Sequence, residues 1–105
     1  MKSGRLKRIA KGFRDEIVGV FGGDGSENYC YMVSMPIEGY LNALGVECRC
    51  VEGFVNGSPV HHWWVELSDG RIIDATADQF TVNGQQLPPI IVGTRPDFYK
   101  PKEPK

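Results

Sequence analysis

The sequence predicts an α+β domain in which helices come first and an antiparallel β meander follows. Three observations carry this: an apolar period of three and four over residues 6–21, a second helical stripe between residues 30 and 45, and short β-rich runs beyond it separated by Asn-Gly and Asp-Gly turns. The 105 residues suffice for one domain. We place it at residues 1–94, with residues 95–105 as an extended or disordered tail, because RPDFYKPKEPK holds three prolines and no period.

The first helix carries Leu6, Ile9, Ala10, Phe13, Ile17, Val20 and Phe21 on one side, within a basic amphipathic segment spanning residues 1–22. Gly12 and Gly19 each weaken it by about 1 kcal/mol relative to Ala, so packing must hold it. Gly22, Gly23 and Gly25 end it in a turn. In the second helix Ile37, Tyr40, Leu41 and Leu44 form the stripe and Gly45 is placed to cap it. Pro36 leaves two readings: the helix starts near Cys30 and kinks, or Ser34 caps a helix whose first turn contains the proline. Next, VECRCVEGFV runs into Asn56-Gly57, a hairpin signal. The strand PVHHWWVEL follows, and Ser68-Asp69-Gly70 turns the chain into Arg71-Ile72-Ile73-Asp74. A small turn at Thr81–Gln85 and a Pro-preceded edge strand at Ile90–Val92 complete the meander.

Charge is unevenly placed. Residues 1–14 carry six basic residues and no acid, whereas residues 15–94 carry 11 acids against Arg49 and Arg71. The amino-terminal arm is either a recruiter of an anionic partner or a solvated helix face. Nucleic-acid binding is not expected, since the arm lacks a row of aromatics for stacking and the acidic body repels phosphate. The basic ends read as appendages to an acidic catalytic body. No run of ~18 apolar residues exists to cross a membrane. Three cysteines, an odd number, without a secretory signal suggest a reducing, cytoplasmic compartment and no disulfide framework.

Chemistry falls to the cysteines, the histidines and one aspartate. A nucleophilic cysteine needs its thiolate, which a helix amino terminus and a nearby imidazolium favour. Cys30 is the cysteine at a helix start, although free cysteines are commonly small buried hydrophobes. Cys48 and Cys50 share one strand face, and Cys-x-Cys without a second ligand pair is core packing rather than a metal site. His61 and His62 point to opposite faces. A two-residue turn would put Asp74 on the face of His61. The three-residue Ser68-Asp69-Gly70 turn with a left-handed Gly70 pairs Trp64 with Asp74 and selects His62. Trp64 invites substrate stacking, against the commoner use of Trp as a core anchor.

Cys30, Ser34, Leu41, Leu44 and Gly45, then His62-x-Trp64-x-Glu66, then Asp74-x-Thr76 resemble the transglutaminase-like branch of the papain-like cysteine enzymes, and Asp74-Ala-Thr76-Ala-Asp-Gln79-Phe80 resembles its small bacterial and phage members. The resemblance covers about half the chain, residues 28–80. It implies a minimal papain-like core and a triad of Cys30 nucleophile, His62 base and Asp74 orienting the imidazole. The implied activity is acyl transfer on a protein or peptide amide: peptidase, amidase, deamidase or transglutaminase chemistry, without metal or other cofactor. The backbone N–H of Cys30 is the first candidate oxyanion donor, with Asn28 and Gln79 as candidates for the second. The alternative from another class is a catalytically idle scaffold of this fold used as a protein-binding or inhibitory module.

Overall fold

A computed structural model describes residues 1–21 and 29–102. The expected glycine turn at 22–28, with Asn28, and the last three residues lie outside them. Helix α1 (Ser3–Phe21) and helix α2 (Tyr29–Ala43) precede seven strands: β1 (Cys48–Val55), β2 (His62–Leu67), β3 (Arg71–Asp74), β4 (Thr81–Val82), β5 (Gln85–Gln86), β6 (Ile91–Thr94) and β7 (Tyr99–Pro101). A five-stranded antiparallel sheet has the order β6-β3-β2-β1-β7, and β4-β5 form a separate hairpin. The domain is α+β, as the order of its periodicities requires.

Both helices lie on one face of the sheet. Leu6 and Ala10 of α1 and Val33, Ile37 and Leu41 of α2 meet Val65, Leu67 and Ile73. Helix α2 starts before Ser34 and continues through Pro36, which resolves the two readings in favour of a helix beginning at Cys30's turn. Proline there removes one backbone donor. The buried stripe Cys30, Val33, Ser34, Ile37 and Leu41 offsets this by packing on both sides of it. The end is a Schellman turn: Gly45 has φ +84°, and Val46 N–H donates to Leu41 O at 2.9 Å. In α1, Leu6 and Ala10 are fully buried, but Val20, on the expected apolar stripe, is exposed.

The opposite face holds a second cluster, Val51, Val55, Trp64, Ile72, Phe80 and Tyr99. The turn at Ser68-Asp69-Gly70 is the three-residue form: Gly70 has φ +95°, and Val65 faces Ile73 while Glu66 faces Ile72. That register carries Trp64 opposite Asp74. Asn56 and Gly57 both have positive φ and make a tight turn. It does not close a two-residue hairpin, however. Strand β1 pairs with β2 only up to Gly53–His62, and its last residues, Gly53 to Val55, pair with β7.

This last pairing changes the place of the carboxy-terminal segment. Residues 99–101, read from sequence as part of a tail beyond the domain, are an edge strand hydrogen-bonded to β1. Pro101 is tolerated there because an edge strand has one side without a ladder. Gly53 makes the approach possible: a Cβ at this position would collide with Lys100 O and the Trp64 ring. The amino-terminal helix is equally integral. Arg14 donates to both carboxylate oxygens of Asp78, at 3.0 and 2.7 Å, and to Ala75 O at 2.8 Å. Both basic ends thus make contacts with the body. Among the described residues no helix is long and apolar enough to cross a membrane.

Candidate active site

The site forms where α2 begins and β2 begins. His62 is the first residue of β2 and fully buried, on the face that carries Trp64. Its Nε2–H donates to Asp74 Oδ2 at 2.7 Å. Asp74 reaches it diagonally across the β2–β3 pair, which is what the three-residue turn secures. The carboxylate is itself held. Its Oδ1 accepts from Thr76 N–H at 3.0 Å and Thr76 Oγ1 at 3.4 Å, and its Oδ2 accepts a second bond, from the Tyr99 hydroxyl at 2.5 Å. A buried carboxylate needs such donors, since each unmet lone pair costs free energy. Among the described residues no buried side-chain polar atom lacks a partner.

Cys30, in the first turn of α2, lies close enough to the imidazole to raise its pKa. With Nε2 on Asp74, Nδ1 is the other polar position of the ring. Gln79 Nε2 lies 2.5 Å from the same Nδ1, presented by a 3-10 turn at Ala77–Gln79. With a neutral ring the Gln79 amide N–H donates to Nδ1; a charged ring requires the amide to offer its oxygen. The Arg14–Asp78 pair anchors this turn to α1. Phe80 packs edge-on against the imidazole at 4.7 Å.

Electrostatics at His62 has two opposing causes. Burial disfavours the charged ring and lowers its pKa. The hydrogen bonds and charge of Asp74, with those of Cys30, outweigh burial and push it up to about 9. His61 has a different fate on the outer face: its Nδ1 pairs with Glu52 Oε2 at 2.8 Å and its ring meets Phe54.

Of the residues singled out from sequence, the structure brings Cys30, His62, Asp74 and Gln79 together. Asn28 lies outside the described residues. Trp64 does not belong to a substrate surface. Its side chain is fully buried, edge-on to Tyr99 at 5.0 Å, with Nε1 donating to Glu66 Oε2 at 3.0 Å, so no face of the indole is left for a ligand. Glu66 in turn accepts from Arg95. Trp63, on the helix side, meets Tyr31 edge-on at 4.8 Å. Cys48 and Cys50 pack beside α2, where Glu38 Oε2 accepts from Cys50 N–H. Among the described residues no group of three His, Cys, Asp or Glu side chains is arranged to hold a metal ion. A hollow of about 490 Å³ between Glu47–Arg49 and Glu66–Ser68 lies at the far end of the β1–β2 pair and includes none of the four.

Sequence reasoning missed Tyr99, Arg14 and Gly53. The tyrosine left one usable signal, an aromatic two residues before a proline in a run compatible with an edge strand. The chain matches no protein-family model, no curated protein and no solved structure. The functional reading rests on the geometry of the site and on the motif resemblance.

Proposed function

We propose that this chain is a cysteine-dependent acyl-transfer enzyme of the transglutaminase-like kind, acting on a protein or peptide amide. The observation that carries the proposal is the imidazole of His62, bonded to Asp74 through one nitrogen and close to Cys30. A charged ring beside a thiol at a helix start favours a thiolate–imidazolium pair. In the reaction, Cys30 Sγ attacks the amide carbonyl carbon and the carbonyl oxygen becomes an oxyanion facing the Cys30 backbone N–H. The Nδ1 proton of His62 passes to the departing amine as the carbon–nitrogen bond breaks, leaving a thioester. The neutral ring then takes a proton from water or an incoming amine, whose attack releases Cys30 as thiolate and restores the imidazolium. Asp74 holds the ring's tautomer and orientation throughout.

Iodoacetamide at pH 6 tests this directly. Cys30 is expected to be carboxamidomethylated well before Cys48 and Cys50, as read by peptide mass spectrometry; equal labelling of the three would sink the proposal.

A second reading has one observation of its own. Cys30 is only 4% exposed, as suits a non-catalytic core thiol. In this reading the fold is an idle scaffold that binds or inhibits a partner protein. Labelling of Cys30 slower than that of the half-buried Cys48, in a folded protein, favours it.

A further inference from the structure

We propose that Tyr99 is a positioning residue for the Asp74–His62 pair, so that the carboxy-terminal strand β7 is a working part of the site. The proposal rests on the reading of Cys30 and His62 as a reactive pair. Its basis is a shared atom. Oδ2 of Asp74 accepts from His62 Nε2–H at 2.7 Å and from the Tyr99 hydroxyl at 2.5 Å, while Thr76 occupies Oδ1. His62 of β2, Tyr99 of β7 and Thr76 of the segment after β3 thus fix the plane of the carboxylate, and the imidazole follows it.

Tyr99 is held as firmly as the group it holds. Its side chain is 1% exposed and lies edge-on to Trp64, its backbone is in register with Val55, and its N–H donates to Pro96 O at 3.0 Å. Burial, with the charge of Asp74 and the bond to it, drives the phenol's pKa well above its ordinary value, so the hydroxyl keeps its proton and remains a donor. A donor on Oδ2 also withdraws negative charge that would otherwise stabilise the imidazolium. Tyr99 therefore has two effects: it aims Asp74, and it moderates how tightly Asp74 holds the proton of His62. The other groups around the ring do not alter this sign. Cys30 of α2 and Asp74 of β3 are the titrating groups that act on it, Tyr99 of β7 acts through Asp74, and Gln79, Phe80 and Trp64 do not titrate in the accessible range.

The test is Tyr99→Phe in the full chain, with the ring of His62 followed by NMR through a pH titration. Loss of the hydroxyl is expected to raise the midpoint by about half a pH unit or more, roughly threefold in proton affinity. An unmoved midpoint in a folded variant overturns the proposal, because packing alone would leave it there. If Tyr99→Phe fails to fold, 3-fluorotyrosine at position 99 keeps the ring and strengthens the donor. The midpoint is then expected to fall, and no change is again the overturning result. Repeating the titration on Cys30→Ala separates this outcome from that of the enzyme reading. There the Tyr99 effect persists without the thiol, whereas loss of selective Cys30 labelling in the wild type counts against the enzyme reading alone.

Discussion

Cys30 lies in the first turn of α2 and Cys48 and Cys50 lie on β1 beside its later turns, with a carboxylate near each of the two regions. Glu38 acts on Cys48 and Cys50 directly. With burial as the larger cause, it pushes Cys50 up to about 12 and raises Cys48 as well. Cys30 lies close to the imidazole of His62, which bonds the carboxylate of Asp74. An acid in contact with a thiol opposes its ionisation, whereas near Cys30 the direct partner of the acid is the imidazole. Distance and order, rather than the number of acids, separate a silent cysteine from the proposed nucleophile.

The two regions are expected to titrate in different windows, which gives the largest effect. The folded-state pKa of His62, about 9, lies above its ordinary value of 6.5. Its contribution to stability is therefore fully present below pH 6.5 and is lost as pH rises through 9, with an upper bound of roughly 3 kcal/mol. Cys50, also raised, contributes a further loss that begins only near its ordinary value of 9.0. Urea unfolding should show stability falling between pH 6.5 and 9 in the wild type and a flatter profile in His62→Gln. A wild type as stable at pH 9 as at pH 6.5 would show that Asp74 and Cys30 do not hold the proton.

Removing the ring comes next. At pH 6 an ordinary thiol is ~0.3% ionised, and an ion-paired one is mostly thiolate though intrinsically less nucleophilic. His62→Ala is thus expected to slow alkylation of Cys30 by about 10- to 100-fold and to bring it to the rate of an ordinary buried thiol. An unchanged rate in a folded variant would place the reactivity elsewhere.

Gly53→Ala acts on the same pair from a distance. The added Cβ meets the backbone of β7 and the ring of Trp64, so either β7 shifts or the ring does. Overpacking of this kind costs about 1–3 kcal/mol. Since β7 carries Tyr99, loss of stability should come with a displaced His62 resonance while the environment of Cys48 and Cys50 stays as it was. A destabilised variant whose His62 signal is unmoved would argue that β7 and the site are independent.

What could be read in the sequence follows the range of the interactions. The choice of His62 over His61 was legible because it depends on one turn: Ser-Asp-Gly with a left-handed glycine sets a register, and a period of two assigns the faces. Cys30 was legible as a residue at a helix start. The Asn56-Gly57 turn was legible as a turn but not as the boundary of a pairing, because β7, more than forty residues away, takes the end of β1. Tyr99 and Gly53 were hidden for the same reason. Arg14 was hidden by its surroundings, since its part-buried pair with Asp78 starts from a helix that composition marks as solvated. Trp64 was read for its ring when its place opposite Asp74, on an inward-facing position, already put it in the core.

The smallest effect expected is at the silent thiols, and it is the control that gives the comparison its meaning. Cys48 and Cys50 touch α2 through Glu38 and Asn42, at the end of the helix away from Cys30. Cys50 meets Glu38 through its backbone N–H, which a substitution of the side chain leaves in place, and also through its thiol. Cys48→Ser keeps a hydroxyl where the sulfur meets Glu38 O and Asn42 Oδ1, and Cys50→Ala gives up a modest half-buried volume. Each should cost within about 1 kcal/mol. Neither removes a group that bonds His62, so labelling of Cys30 at pH 6 should be unchanged within about twofold. A larger change would mean that α2 transmits the state of its carboxy-terminal half to its first turn. Pro36 makes such transmission a poor expectation, because it removes the hydrogen bond that would join the two halves at that point.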